Sequence, residues 1–419
     1  MRALRKLAIR LRGGIKPGKP STLLTQSVEG VARVSRGSLK LEVSIEAPPG
    51  SRGFWINAGL APRDLEFVDR VDPDSGLYRA KWVSLEEEVS RIELSGSLTP
   101  FAGPWGFSST SAILRYSLLW YPASCDPKTV IVPLMCGLHR FARLELVVRD
   151  YGCVASSLYA SSEGGRIVLE GVGSVPPIDV VLVDGWARAY SVSGIELRLV
   201  VEKGIEVDPV VVRECARACV ELVKGLGLEL PYTSIDVAIH RGGGFTNARL
   251  VSLSPSSARS RASILVSMIR GFYRMWWGSI VRPRDPRDAW LFEAIPEYLT
   301  TVSLLKLGLS ELYQARLNAV FSEAFKLLSS ILYVPPNSIA LPLTRRGLKS
   351  WRFVGEAVLH MIGTCVGTNN LIEALVRIAS ECQRGSRKPW VGLEDVVKEV
   401  ERFGDPTPVL KRFKLLKEG

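Results

Sequence analysis

The sequence predicts a multidomain α+β protein in which an N-terminal antiparallel β-sandwich precedes a mainly α-helical domain. Up to about residue 202, short runs rich in Val, Ile, Leu, Tyr and Trp alternate with Gly, Pro, Ser and Asp, which is typical of antiparallel sheets. Beyond Pro209, apolar residues recur at helical spacing. We therefore expect a basic arm at 1–23, a β-sandwich at 24–204 and a helical domain at 205–419, an organisation that fits a length of 419 residues.

Individual elements follow from the same two patterns. The clearest predicted strands are 39–47, 92–98, 112–121, 143–148, 165–171 and 178–184. A further strand at 234–240 precedes a break of three glycines. The predicted helices are 211–225, 257–277, 288–307, 310–332, 354–365, 370–382 and 393–403.

The composition is that of a globular protein with an unusually basic start. The net charge is +12, and residues 1–19 contain seven basic residues and no acid, so the other 400 residues carry only five of these charges. Residues 1–12 could form a short basic helix, and we weigh a solvated arm against a contact with a polyanion or a membrane surface. No apolar run approaches the roughly 18 residues of a membrane-spanning helix, which argues against a transmembrane segment.

The cysteines point away from a disulfide or zinc scaffold. There are seven of them, an odd number, with no CxxC pair. Cys215 and Cys219 are four residues apart on a predicted helix, where buried packing is the simplest interpretation. We expect a cytoplasmic protein, and the pairing state of the cysteines is left open.

Residues 266–299 carry a recognisable arrangement of motifs. Trp276-Trp277-Gly278 is followed by Asp288-Ala289-Trp290-Leu291-Phe292-Glu293 and then by Glu297-Tyr298. This order resembles the active-site helices of the gluzincin zinc aminopeptidases, which read HExxH-x-W-F/W-G and then D-L-W-L-N-E-G-F-A-x-Y. Eighteen residues separate Arg274 from Glu293, as between the family's second and third zinc ligands.

Two further stretches extend the resemblance over most of the helical half. Residues 228–253 are similar to the family's substrate strand and loop, with Gly243-Gly244-Phe245-Thr246-Asn247 at the position of G-A-M-E-N. Residues 352–378 look like the helix that begins Y-E-K-G-A-x-V-L-H-M-L. The resemblance implies a thermolysin-like helical domain after an N-terminal sandwich.

The catalytic positions of that family are replaced in this chain. The HExxH positions read Arg270-Gly271-Phe272-Tyr273-Arg274, so both histidine ligands are arginines and the general base is a glycine. The amine-binding glutamate is Thr246, the oxyanion tyrosine is Arg352, and only the third ligand, Glu293, remains. We therefore expect no catalytic residues and no cofactor, because two of three zinc ligands are missing.

Two arginines at the histidine positions suggest what stands in place of the metal. Arg270 and Arg274 lie four apart on one helical face, so we expect both guanidinium groups to pair with Glu293. Residues 242–291 hold eight arginines and two acids, which suggests an anion site. The candidate ligand-binding residues are Gly243, Gly244, Thr246, Asn247, Arg270, Arg274, Glu293 and Arg352.

These observations favour a non-hydrolytic relative of the aminopeptidases that acts as a peptide-binding, protein-binding or scaffold module through the former active-site cleft, with an acidic peptide or protein among the partners to be considered. One alternative is a zinc metalloaminopeptidase that keeps its activity through an unrecognised metal arrangement. Another is a binder of nucleic acid or of an anionic surface. The three histidines, His139, His240 and His360, are far apart in sequence, and no G-x-S-x-G or phosphate-loop motif is present.

Overall fold

The computed structural model describes 8–12, 26–36, 38–46, 53–57, 68–72, 76–84, 91–98, 108–115, 120, 139–163, 166–284, 286–330, 333, 335–337 and 349–416. The chain divides into two compact units. The first comprises Met1–Tyr190, Glu196–Asp208 and Ser234–Arg259, and the second Ser191–Ile195, Pro209–Thr233 and Ser260–Gly419. Residues 234–259, which the sequence analysis assigned to the helical domain, therefore lie in the β-rich unit.

The strands up to residue 202 follow the predicted pattern. They are β1 (Ala8–Arg12), β2 (Gln26–Ser35), β3 (Ser38–Glu46), β4 (Gly53–Asn57), β5 (Val68–Asp72), β6 (Gly76–Ser84), β7 (Arg91–Leu98), β8 (Ser111–Leu114), β9 (His139–Val148), β10 (Cys153–Ser156), β11 (Tyr159–Glu163), β12 (Arg166–Val175), β13 (Val180–Val183), β14 (Gly185–Val192) and β15 (Ile195–Glu202). Along β3, Leu39, Leu41, Val43 and Ile45 are buried and alternate with more exposed residues. This period of two places one face of the sheet against the core.

Two expectations about this part are corrected. The largest sheet has the order β1-β7-β3-β2-β9-β12-β11, and β2 runs parallel to β9, so the sheet is mixed rather than purely antiparallel. Parallel pairing arises because a long connection, rather than a hairpin, joins β2 to β9. Residues 8–12 were expected in a solvated or helical arm, but they form β1 and pair antiparallel with β7. The pairing with β7 provides hydrogen-bond partners for the backbone of this short segment, which an isolated arm would lack.

A second sheet contains the predicted strand after the first helix. Its order is β14-β15-β16-β18-β17, where β16 is Ser234–Ile239, β17 Phe245–Asn247 and β18 Leu250–Leu253. The strand β16 is parallel to both β15 and β18 and is almost entirely buried. Apolar side chains that include Val200, Ala238 and Phe245 form the core around it.

The helices begin at Pro209, which is where the sequence predicts the change of texture. They are α1 (Pro209–Gly225), α2 (Arg261–Arg274), α3 (Leu291–Lys306), α4 (Ser310–Leu328), α5 (Gly355–Val366), α6 (Thr368–Gln383), α7 (Leu393–Val400) and α8 (Thr407–Arg412), with short strands β19 (Arg282–Pro283) and β20 (Trp390–Val391). The start of α2 is set by Ser260, whose side chain accepts from the backbone N–H of Ser263. The described helices include none that is long and apolar enough to cross a membrane.

The packing of α3 decides where the site forms. Every residue from Leu291 to Leu304 is buried, so this helix is enclosed on all sides. Its charged side chains, Glu293 and Glu297, must therefore be paired within the protein. On α1, Cys215 and Cys219 are buried as predicted, and burial raises the pKa of the Cys215 thiol to about 11. The described cysteines are unpaired, whereas Cys125 and Cys136 lie outside the described residues.

Candidate functional site

Two arginines of α2 face two glutamates of α3, and the members of each pair are four residues apart in the sequence. Arg270 Nη2 lies 3.3 Å from Glu293 Oε2, and Arg274 makes an ion pair with the other oxygen of the same carboxylate. Both expected pairings with Glu293 are therefore present. Arg270 also bridges to a second carboxylate one turn along α3, because its Nε lies 2.6 Å from Glu297 Oε1. The i, i+4 spacing on each helix places these four side chains in register.

Glu297 is the centre of the arrangement and is completely buried. Besides Arg270, it pairs with Arg316 from α4 and with Arg352, whose Nε is 2.8 Å from Oε1. Burial raises the pKa of Glu297, but the guanidinium groups of Arg270, Arg352, Arg316 and Arg274 lower it more, and the pKa is held well below its ordinary value. The carboxylate is therefore ionised although it has no contact with solvent.

A chain of polar contacts continues from Arg316 to α5. Arg316 Nε donates to Thr301 Oγ1 at 2.6 Å, and the Thr301 hydroxyl donates to Glu356 Oε1 at 2.5 Å. Glu356 is almost fully buried and lies 3.8 Å from Nε2 of His360, one turn further along α5. The His360 ring packs edge-on against Tyr298, with ring centroids 4.8 Å apart. The buried carboxylate of Glu356 thus lies between a hydroxyl, a guanidinium group and an imidazole.

Arg352 reaches Glu297 because of how the chain enters α5. A five-residue π-helical turn, Ser350–Val354, precedes the helix and buries Trp351. A Cβ added at Gly355 would lie 2.8 Å from the Cβ of Ala294 and 2.9 Å from the Trp290 ring. Only glycine allows α5 to approach α3 this closely. The wider turn and the glycine together bring residue 352 over Glu297, and π-helical turns of this kind are frequent at functional sites.

These seven side chains are called here the arginine–glutamate cluster. Its members are Arg270, Arg274, Arg316, Arg352, Glu293, Glu297 and Glu356. The sequence predicts the pairing of Arg270 and Arg274 with Glu293 and names Arg352 as a candidate ligand-binding residue, but it assigns no role to Glu297, Glu356 or Arg316. Glu297 could have been found from its position four residues after Glu293 on the same predicted helix. Nothing in the sequence points to Arg316, because α4 is brought there only by tertiary packing.

The eight arginines of residues 242–291 do not form one basic surface. Arg249 belongs to the first unit, where it pairs with the buried Asp236 at 2.8 Å. Arg282 is fully buried and donates to the backbone carbonyl of Ser279. Arg284 makes an ion pair with Asp395. Proximity in sequence therefore overestimated the local positive charge, because several of these arginines fulfil separate structural roles.

The glycine-rich loop of the sequence analysis lies in the first compact unit, whereas the arginine–glutamate cluster lies in the second. In this loop Asn247 donates to the carbonyl of Pro177 and to Asp179. Gly243 has a φ of +92°, a backbone conformation that favours glycine. Gly244 and Thr246 lie beside Gly243 and within β17, respectively. Their predicted part in ligand binding stays a prediction.

His240 holds the glycine-rich loop in place. Its Nδ1 accepts from the backbone N–H of Gly242 at 3.0 Å, so Nε2 carries the hydrogen that faces Ser252 Oγ at 2.6 Å. The Ser252 hydroxyl in turn donates to the carbonyl of Gly243. Burial lowers the pKa of His240 to about 4, so the ring is neutral at physiological pH. The histidine therefore has a structural role.

Solved structures with a similar fold cover almost the whole chain. An M1 zinc metallopeptidase from Deinococcus radiodurans is 13% identical, with a TM-score of 0.59 over 94% of this chain and 93% of that chain. A mutant of that protein bound to a Tyr-Ser-Ala substrate has 14% identity and a TM-score of 0.60 over 93% of both chains. An aminopeptidase N family protein from Idiomarina loihiensis has 12% identity and a TM-score of 0.60, over 94% of this chain and 76% of that one. No protein-family model and no curated protein sequence matches the chain.

These comparisons correct the expectation that the protein has no cofactor. That expectation came from counting missing ligands, whereas the solved structures that share the fold are of zinc metallopeptidases. The side chains at the motif positions do not fit the ion: arginine has no lone pair to donate, and Glu293 accepts from two guanidinium groups. Within the described part of the chain, no group of three or more His, Cys, Asp or Glu side chains could hold a metal.

The structure supports the recognition made from the motifs at the level of the fold. Strands precede helices in the expected order, and Glu293 lies at the start of α3, directly opposite the two arginines of α2. The sequence identity to the solved structures, 12–14%, is that of a divergent relative. The chain therefore has the α+β fold of the M1 zinc metallopeptidases and the aminopeptidase N family.

Proposed function

We propose that the chain is a non-hydrolytic peptide-binding or protein-binding module built on the aminopeptidase fold. In this proposal, the β-rich part corresponds to an N-terminal sandwich and the helical part to a thermolysin-like domain. The observation that carries the proposal is the pairing of Arg270 and Arg274 with Glu293. Two positively charged side chains occupy the positions that the resemblance assigns to metal ligands, and they use both oxygens of the remaining carboxylate.

The chemistry of the cluster argues against hydrolysis of a peptide bond. A general base must be able to take a proton from the attacking water, and the motif position for that base is Gly271, which has no side chain. Glu293 is held in two ion pairs, and the low pKa of Glu297 makes that carboxylate a poor proton acceptor. Guanidinium groups remain protonated at physiological pH and cannot replace the base.

The same residues are suited to binding an anionic partner. Arg352 is 42% exposed, and Arg270 and Arg316 are partly exposed beside it. Guanidinium groups recognise carboxylates through two parallel hydrogen bonds, and ion pairs at such partly desolvated sites are stronger than those on an open surface. An acidic peptide, or an acidic segment of a protein, is therefore the partner class that the cluster favours.

The test combines a hydrolysis assay with a binding assay on the full chain. Aminoacyl-coumarin substrates are incubated with the protein in the presence of added zinc, and peptide binding is measured by saturation-transfer NMR. We expect peptide binding without turnover above the buffer rate. Zinc-dependent turnover that is lost in Glu293→Gln but kept in Glu399→Gln contradicts the proposal and favours the alternative of an active metalloaminopeptidase. The second variant is a matched control, because Glu399 is a buried, arginine-paired glutamate outside the cluster.

A further inference from the structure

Arg352 differs from the other arginines around Glu297 in how its charge is balanced. Arg270 has Glu293 as a second carboxylate partner, and Arg316 lies 3.9 Å from Glu356 as well as pairing with Glu297. The carboxylate paired with Arg352 is Glu297, which it shares with both of those arginines. Among the described residues, Arg352 is thus the one of these three arginines for which no second carboxylate partner is found.

Arg352 makes its closest contact with the buried carboxylate through Nε, at 2.8 Å, rather than through a terminal nitrogen. Its side chain is 42% exposed. The two terminal nitrogens are the pair that forms parallel hydrogen bonds with a carboxylate. The guanidinium carbon also lies 5.5 Å from the centre of the Phe353 ring, which restricts its orientation.

The backbone that carries Arg352 is held in place before any ligand binds. Its neighbours Trp351 and Val354 are buried, and Gly355 is packed directly against Trp290 and Ala294 of α3. A guanidinium group fixed in this way loses little conformational freedom when it forms new hydrogen bonds. The position therefore combines a carboxylate partner shared with two other arginines, a partly exposed guanidinium group and buried neighbours in the chain.

We propose that Arg352 recognises one carboxylate group of the bound peptide and is the residue that determines the preference of the site for acidic ligands. This inference rests on the proposed function, since it assigns the recognition of a peptide to one side chain. The carboxylate comes either from the C-terminus of a peptide or from an Asp or Glu side chain. The ligand adds its negative charge beside Glu297 without displacing the buried carboxylate.

Three hexapeptides based on one sequence of Ala, Gly and Ser distinguish these sources. One has a free C-terminal carboxylate, one is amidated and neutral, and one is amidated but contains a single Glu side chain. All three carry an acetylated N-terminus, and binding is followed by saturation-transfer NMR. We expect one of the two charged peptides to bind at least about tenfold more tightly than the neutral one, as for a charged hydrogen-bonded pair. The charged peptide that binds more tightly identifies the source.

Arg402→Gln is the matched control for Arg352→Gln. Arg402 is 51% exposed and, like Arg352, is one of three arginines on a buried glutamate, so both variants lose the same charge. Arg352→Gln leaves Glu297 paired with Arg270 and Arg316, which favours retained folding, checked by circular dichroism. We expect Arg352→Gln to abolish the preference for the charged peptide, Arg352→Lys to keep part of it, and Arg402→Gln to leave it unchanged.

The outcomes separate this inference from the proposed function. Equal affinity for charged and neutral peptides, or equal losses in Arg352→Gln and Arg402→Gln, overturns the role of Arg352 while peptide binding still stands. No binding of any of the three peptides, or zinc-dependent turnover of the aminoacyl-coumarin substrates, overturns the proposed function together with this inference.

Discussion

Two buried glutamates of the helical part, Glu297 and Glu399, are each surrounded by three guanidinium groups, but the groups come from different distances along the chain. The partners of Glu399 are Arg377, Arg387 and Arg402, all within residues 377–402. The partners of Glu297 come from α2, from α4 and from the turn before α5. The contacts of Glu399 thus join neighbouring parts of the chain around α6 and α7, whereas those of Glu297 bring three separate elements onto the enclosed helix α3.

The surroundings of the two carboxylates differ in how far they are exposed to solvent. Two of the arginines around Glu399 have a second acid nearby, as two of those around Glu297 do, but here the second acids, Glu373 for Arg377 and Glu381 for Arg387, are partly exposed. These contacts lie near the surface, where ion pairs contribute little to stability. Glu297 has no exposure to solvent, and its three arginines are on average less exposed. The comparison indicates that both carboxylates are buried, but that the arginines around Glu399 lie closer to the surface than those around Glu297.

The largest expected effect is on stability when each glutamate is neutralised. Glu297→Gln leaves three guanidinium groups around a buried amide, and we expect the free energy of unfolding to fall by about 3–5 kcal/mol. Glu399→Gln should cost only about 1–2 kcal/mol, because water can reach its arginines. Urea unfolding followed by circular dichroism measures both values. Equal losses of unfolding free energy in the two variants would show that the distinction between the surroundings of Glu297 and Glu399 is wrong.

The pH dependence of stability should reveal the same difference. The folded pKa of Glu297 lies below its ordinary value of 4.5, so its contribution is fully present above that pH and is lost as the pH falls towards the folded pKa. We therefore expect the gap in unfolding free energy between the wild type and Glu297→Gln to narrow below about pH 4.5. Glu399→Gln keeps Glu297 and should retain the acid-induced loss. The measurement is urea unfolding at pH values between about 3 and 7, and a gap that is constant over this range contradicts the assignment.

A smaller effect on stability is expected from substitution of two glycines, Gly355 before α5 and Gly392 before α7. Gly355→Ala would place a methyl group against the Trp290 ring and the Ala294 Cβ, so we expect a loss of about 1–3 kcal/mol. At Gly392, before α7, the added Cβ would meet a carboxylate oxygen of Asp288, the end of a movable side chain, at 2.7 Å. Gly392→Ala should therefore cost less than about 1 kcal/mol. Thermal unfolding of both variants provides the measurement, and a larger loss for Gly392→Ala would contradict the close packing of α5 on α3.

The sequence by itself determined the order of elements, the end of the β-rich part before Pro209 and the replacement of the motif residues. It also predicted the pairing of Arg270 and Arg274 with Glu293, because helical periodicity and spacing place side chains on one face without knowledge of the rest of the fold. These are local properties, and each depends on residues that are near each other in the chain or aligned by motifs in a known order.

Only the tertiary structure decided that Glu297, rather than Glu293, is the centre of the cluster. Arg316 and Arg352 reach it because α4 packs on α3 and because Gly355 permits a close approach of α5. The parallel pairing of β2 with β9 has the same origin. Contacts of this kind depend on the packing of elements that are distant in sequence, and no periodicity within a single element specifies which side chains from other elements will surround a buried charge.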